Sequence, residues 1–218
     1  GTVSKSFEYQ VKKYADQVLG SEHPMGESVQ NFVKALMNYG TYAQYYFDYK
    51  TENPANGSEY FTEEDRKPSV LSGDERTSVI NDNKMILDKA TEDKVKYYGS
   101  SLLLENTNVI RHYFTLADSS VDVSTLDVTV DGAKAEVKQK GNFYYVDIAD
   151  ITATCLADKY TVKIDSMTIE YSCLSYVAAV LNNYTDESGA CIKSDKQNLV
   201  NLAASLYDYS VAAENLVL

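Results

Sequence analysis

The chain has 218 residues, 44% hydrophobic and 24% charged, the composition of a folded globular protein with one large domain or two small ones. Its 20 Lys and Arg against 32 Asp and Glu leave a net charge of −12, which disfavours nucleic acid or an anionic membrane as partner. No apolar run reaches the roughly eighteen residues that a spanning helix needs, so no direct membrane insertion is expected. With 2 His, no Trp and 19 Tyr, few residues remain for a metal site or a nucleophile–base pair.

The chain opens at Gly1-Thr2-Val3 with no initiator Met, basic n-region or apolar h-region, and reads as a piece of a longer multidomain protein, monomeric within it. Over residues 4–19, Phe7, Val11, Tyr14 and Val18 follow an i, i+4, i+7, i+11 stripe, which predicts an amphipathic helix ended by Gly20-Ser21 and Pro24. The second helix carries Val29, Phe32, Val33, Leu36, Tyr39, Gly40, Ala43 and Phe47 on one face, with Gly40 and Ala43 forming a small-residue notch. Beside that face, Asn38, Tyr42, Tyr45 and Tyr49 form a second line at i, i+4, i+7, i+11. Either this helix is buried on both sides, or it presents a Tyr-rich stripe to a protein partner, since Tyr offers stiff contact area with a polar tip.

Residues 50–93 hold Pro54, Pro68 and mixed charge, and are expected to be a mobile excursion or a binding loop, with room for a short helix near 83–90. From 96 to 172 the pattern turns to β. Strands are predicted at 96–104, 108–116, 126–130, 134–139, 143–149, 159–164 and 167–171, with turn signals at Asp131-Gly132, Gly141-Asn142 and Asp165-Ser166. That number of short strands suits an immunoglobulin-like sandwich. Leu156 four residues before Tyr160, followed by alternating Val162 and Ile164, is similar to a tyrosine corner, with Tyr160 holding the corner through its hydroxyl. A short helix is predicted over 174–181 and a last one over 195–216. The last repeats the second helix: Leu199, Leu202, Leu206, Tyr209, Ser210 and Ala213 fall where Val29, Phe32, Leu36, Tyr39, Gly40 and Ala43 stand, so the two are expected to pack notch to notch.

The chain is therefore read as α+β: an N-terminal helical part (1–49), an irregular acidic connection (50–95), an inserted immunoglobulin-like β-sandwich (96–172), and a C-terminal helical part (173–218) packing on 1–49. No phosphate loop, nucleophile elbow or zinc-protease motif occurs. His112, in an alternating strand, and His23, in a turn, read as packing or surface residues rather than catalytic bases. Glu63-Glu64 and Glu92-Asp93 read as solvated acids, and Asp186-Glu187-Ser188-Gly189 fails the spacing of a calcium loop. Cys155, Cys173 and Cys191 match no zinc pattern. One disulfide with a free thiol, or three reduced thiols, both fit them. No catalytic residue, cofactor or metal is expected.

The string from Lys34 to Phe47, KALMNYGTYAQYYF, resembles the ALLNYGAYAQ-x-YF helix of large secreted surface proteins of gut Firmicutes. Tyr97-Tyr98-Gly99-Ser100-Ser101-Leu102-Leu103-Leu104 and Ile110-Arg111-His112-Tyr113-Phe114 resemble the first two strands of the same unit. Leu174-Ser175-Tyr176-Val177 and Ala204-Ser205-Leu206-Tyr207-Asp208-Tyr209 resemble its later helices. The likeness spans nearly all of the chain outside 50–93. It implies an extracellular, cell-surface, non-catalytic binding module, and it allows a disulfide. Similar surface proteins include B-cell superantigens that bind immunoglobulin variable regions, and others tied to carbohydrate adherence. The resemblance thus implies a host-protein partner, immunoglobulin being the most specific candidate. Asn38, Tyr42, Tyr45 and Tyr49 are the candidate contact residues from the helix pattern. The alternatives are a glycan-binding adhesion module and a structural spacer.

Overall fold

The computed structural model describes residues 11–20, 25–90, 94–104 and 107–216. The mixture of helices and antiparallel sheets is α+β. The chain divides into two compact units, one formed by 1–70 and 193–218, the other inserted between them as 71–192. These boundaries differ from the division at 49, 95 and 172 read from the helix and strand patterns. Residues 4–10 of the first predicted helix, His23 and Glu92-Asp93 lie outside the described residues.

The first unit is built on α1 (Val11–Gly20), α2 (Glu27–Phe47) and α5 (Gln197–Glu214). Ala15 and Val18 of α1 meet Val33 and Met37 of α2 in a buried cluster closed by Phe61, from the stretch after α2. Gly20 lies against the Tyr60 ring, and a Cβ there would collide with it. Between α2 and α5 the central contact is aromatic. Tyr209 stacks on Tyr39 at 5.7 Å and tilts against Phe32 at 5.5 Å. Asn198, at the start of α5, donates to the carbonyl of Tyr45 near the end of α2, so the two helices run antiparallel. The notch-to-notch expectation is corrected at Gly40. Its missing Cβ faces Ala55, 3.5 Å away, because Thr41 and Gln44 draw the chain after α2 onto that side of the helix.

Among its described residues the second unit contains α3 (Gly73–Asp82), nine strands and α4 (Cys173–Tyr184). The helix expected near 83–90 is replaced by α3, ten residues earlier, and by the short strand β1 (Ile86–Asp88). One sheet holds β2 (Val95–Leu104), β3 (Asn108–Leu116), β7 (Phe143–Ile151) and β6 (Lys138–Lys140), in that order. The other runs β1, β9 (Met167–Tyr171), β8 (Tyr160–Ile164), β4 (Val128–Val130) and β5 (Ala133–Lys134). All pairs are antiparallel. The three turn dipeptides each close a hairpin of two residues: Val130 pairs with Ala133, Lys140 with Phe143, and Ile164 with Met167. Asp131, Gly132, Gly141 and Asp165 take the positive φ that tight hairpins require. The single strand expected over 134–139 is two strands in different sheets, because the chain crosses from one sheet to the other after Lys134. Alternation places Ile110, Phe114, Val146 and Ile148 of one sheet, and Val128, Val162, Ile164, Met167 and Ile169 of the other, in the core.

α4 begins in a capping box between Ser172 and Ser175 and belongs to this unit, not with residues 1–49. Its C-terminal end is closed by Arg76 of α3, which donates to the carbonyls of Leu181 and Thr185 at 3.0 and 2.9 Å and to the Thr185 hydroxyl at 2.7 Å. Tyr160 begins β8, but among the described residues its hydroxyl makes no hydrogen bond, which corrects the expected corner tie. Burial, with Cys155 and Asp158 close by, pushes its pKa up to about 12.

His112, read as a packing residue, is fully buried where the two sheets meet, its ring edge-on to Tyr171 at 5.3 Å. Nδ1 lies 2.6 Å from the Ser100 hydroxyl, which is 2.7 Å from the Tyr97 hydroxyl, while Nε2 has no hydrogen-bond partner. Burial disfavours the imidazolium and outweighs the pull of Asp147, lowering the His112 pKa to about 4. Unfolded, the same imidazole titrates near 6.5, so between these values the unfolded chain binds the extra proton. Stability from this site is complete above pH 6.5 and is lost as pH falls towards 4, a loss of roughly 3 kcal/mol. Urea unfolding at pH 7.5 and pH 4.5 should show this drop in the native chain and a shallower one in His112→Gln.

Candidate functional site

The polar side of α2 determines what the Tyr-rich line can do. Asn38 is 6% exposed. Its Nδ2 donates to the carbonyl of Asp65 at 2.5 Å, and its Oδ1 accepts from Asn56 Nδ2 at 2.7 Å. One turn on, Thr41 Oγ1 accepts from the backbone N–H of Asn56 at 2.8 Å, and Gln44 Oε1 accepts from that of Ala55 at 2.8 Å. Tyr42 donates its hydroxyl to the carbonyl of Arg66 at 2.9 Å, and Lys34 pairs with Asp65 at 2.9 Å. The Arg66 guanidinium closes the network by donating to the carbonyls of Asn56 and Ser58. Residues 50–67 are thus folded onto α2, not an irregular excursion: the helix side chains supply the hydrogen bonds that these turn backbones lack.

Two electrostatic effects accompany this packing. Burial raises the Tyr42 pKa, helped by Tyr45 and Asp208, so the hydroxyl keeps the proton it donates. At Asp65 burial works the other way from its partners. Hydrogen bonds from Lys34 and Thr62 prevail and hold the carboxyl below its usual range.

The four candidate residues therefore separate. Asn38 is corrected from partner contact to internal clamp, since its amide is buried and bonded on both atoms. Tyr42 is half-buried, its hydroxyl committed to Arg66, with Tyr45 edge-on to it at 6.0 Å and also half-buried. Tyr49 is 59% exposed, with the Lys50 ammonium 5.1 Å above its ring. Two neighbours in sequence outside that line are exposed as well, Tyr46 and Phe47, their rings 4.9 Å apart. Phe47 was assigned to the core stripe, yet it is 59% exposed. It is the last helical residue, and the chain turns away at once through a left-handed Asp48 whose N–H caps Gln44. Periodicity cannot register that a stripe runs past its neighbour.

The site is thus a run of exposed aromatic residues at the end of α2, Tyr46, Phe47 and Tyr49 with Lys50, following the half-buried Tyr42 and Tyr45 in sequence. It offers rings, hydroxyls and one cation, and can take a partner surface by burial and hydrogen bonding. Among the described residues no group of His, Cys, Asp and Glu converges as a metal site, and no helix is long and apolar enough to cross a membrane. Cys155, Cys173 and Cys191 form no disulfide; Cys173 is fully buried, which pushes its pKa up to about 12.

No protein-family model, curated protein or solved structure matches the chain.

The two sets of residues should respond differently to substitution. Asn38→Ala leaves Asn56 and the Asp65 carbonyl without their partner, and should lower unfolding free energy by about 2 kcal/mol. Phe47→Ser with Tyr49→Ser should change it by no more than about 0.5 kcal/mol per residue. Chemical denaturation of the three proteins side by side measures both.

Proposed function

We propose that the chain is a non-catalytic extracellular binding module of a bacterial surface protein, engaging a host protein through the exposed aromatic end of α2. The observation that carries this reading is the exposure of Tyr46, Phe47 and Tyr49 at the end of an otherwise packed helix. Large aromatic side chains left in water by a folded unit are the residues that dominate protein interfaces when covered. A structural spacer has no use for them, so they weigh against that alternative.

The inserted unit is read as an immunoglobulin-like sandwich. In support, the order β2-β3-β7-β6 follows A-B-E-D, and β9-β8-β4-β5 follows G-F-C-C′, with β1 added beside the G position. The helical unit, formed from both ends of the chain, is then the part that carries the aromatic end. Among host proteins, immunoglobulin variable domains are the most specific candidate. Their support is the resemblance of the α2 string and the strand and helix motifs to surface proteins that include immunoglobulin-binding superantigens.

Interferometry with purified Fab fragments tests this. The native chain should bind, and Phe47→Ser with Tyr49→Ser should weaken binding at least about tenfold. No signal at tens of micromolar Fab would retire the immunoglobulin reading.

A further inference from the structure

A second surface, in the other unit and independent of the α2 end, has its own chemistry. On the face of the β2-β3-β7-β6 sheet away from Ile110, His112 and Phe114, strand register lays side chains out in rows. Lys96 pairs with Thr115, and one register step beyond the Phe114–Tyr144 pair brings Thr115 beside Phe143, itself paired with Lys140. The next row is Gly99, Tyr113, Tyr145 and Lys138. The third holds Ser101, Arg111 and Asp147.

The centre of this grid is aromatic. Tyr98 meets Phe143 at 4.3 Å, Phe143 meets Tyr113 at 6.4 Å, and Tyr113 meets Tyr145 at 5.9 Å. The irregularity between Tyr97 and Gly99 sets Tyr98 outward, 67% exposed, and Gly99 leaves open space opposite Tyr113. Arg111 lies 3.9 Å over the Tyr145 ring, held by a bidentate pair with Asp147 at 2.6 and 2.9 Å.

The perimeter is basic. Lys96, Arg111, Lys138 and Lys140 face one acid within the rows, Asp147, so 4 − 1 gives +3. Counting Glu136, 3.8 Å from Lys138, and Asp118, which acts on Lys96, still leaves 3 − 2 = +1. The whole chain carries −12, so this face inverts the sign of the protein around it.

We infer that this sheet face binds a short acidic oligosaccharide, its carboxylates or sulfates at the lysines and its ring faces on Tyr98 and Phe143. Four strands about 4.8 Å apart place Lys96 and Lys140 roughly 14 Å from one another, a length that a short oligosaccharide spans. The backbone N–H and C=O groups of the central strands β3 and β7 are engaged in the ladder on both sides. A polypeptide laid across it would find few partners for its own amides, whereas a saccharide brings only hydroxyls and anions. A long polyanion such as nucleic acid would meet the negative remainder of the chain.

Isothermal titration of the full chain with tetragalacturonate and with a chondroitin sulfate tetrasaccharide tests the inference and separates carboxylate from sulfate recognition. Maltotetraose, a polyglutamate peptide and a single-stranded oligonucleotide serve as comparisons. At least one acidic saccharide should bind, more weakly as salt rises, and maltotetraose should not. Lys138→Glu with Lys140→Glu should cut affinity at least tenfold, and Tyr98→Ala about fivefold, with circular dichroism and thermal midpoint near native. Those lysines and Tyr98 are exposed, so folding should survive. Absence of binding at millimolar saccharide, or binding that either variant leaves unchanged, overturns the inference. So does tighter binding of the peptide or oligonucleotide.

Discussion

The buried amide of Asn38 is the point on which the helical unit turns. A side chain that can donate and accept at once joins two separate stretches of turn, at Asn56 and at Asp65, to the middle of one helix. Thr41 and Gln44 extend the same contact along the helix by accepting from backbone N–H groups. The chain between 50 and 67 has too few apolar side chains to pack by burial alone, and Phe61 is its main contribution to the core. Hydrogen bonding from α2 makes up the difference, because buried backbone groups must find partners. With one side of α2 given to the Tyr209 contact and another to this clamp, the large aromatic side chains that α2 leaves exposed are those of its last turn, Tyr46 and Phe47.

The inserted unit is organised differently. Its buried polar features sit at element ends and at the meeting of the sheets. Ser172 and Ser175 open α4, Arg76 closes it, and His112 with Ser100 and Tyr97 forms a hydroxyl–imidazole chain next to Tyr171. The His112 ring fills a core position at the cost of a polar nitrogen without a partner. The outer face of the same β3 strand turns Arg111 and Tyr113 the other way. One strand thereby supplies both a neutral buried base and part of a cationic, aromatic surface.

The two proposed surfaces use tyrosine in distinct ways. At the end of α2 the rings stand beyond the packed stripe, and the left-handed Asp48 reverses the chain behind them. On the sheet, rings from three strands brace one another and a guanidinium, leaving Tyr98 outermost. An abundance of Tyr in a Trp-free chain is thus divided among core stacking, internal hydrogen bonding and exposed contact.

Local patterns carried much of this in advance. The stripes of the second and last helices, the strands at 108–116 and 167–171, and the three hairpin dipeptides were legible, because periodicity and turn stereochemistry depend on neighbours a few residues away. What was not legible depended on distant partners. Asn38, Tyr42 and Tyr45 share a helical line with Tyr49, and nothing in their spacing distinguishes a side chain that bonds to residues 56, 65 and 66 from one that meets solvent. Phe47 shares the spacing of the core stripe and still lies outside it. Lys134 and Lys138 read as one strand until the crossing between sheets assigns them to two. Outside 71–93 and the crossing after Lys134, the amino-acid order alone determined most helices and strands and which way they alternate; burial, and with it the choice between clamp and contact surface, was decided by which elements the fold brought alongside.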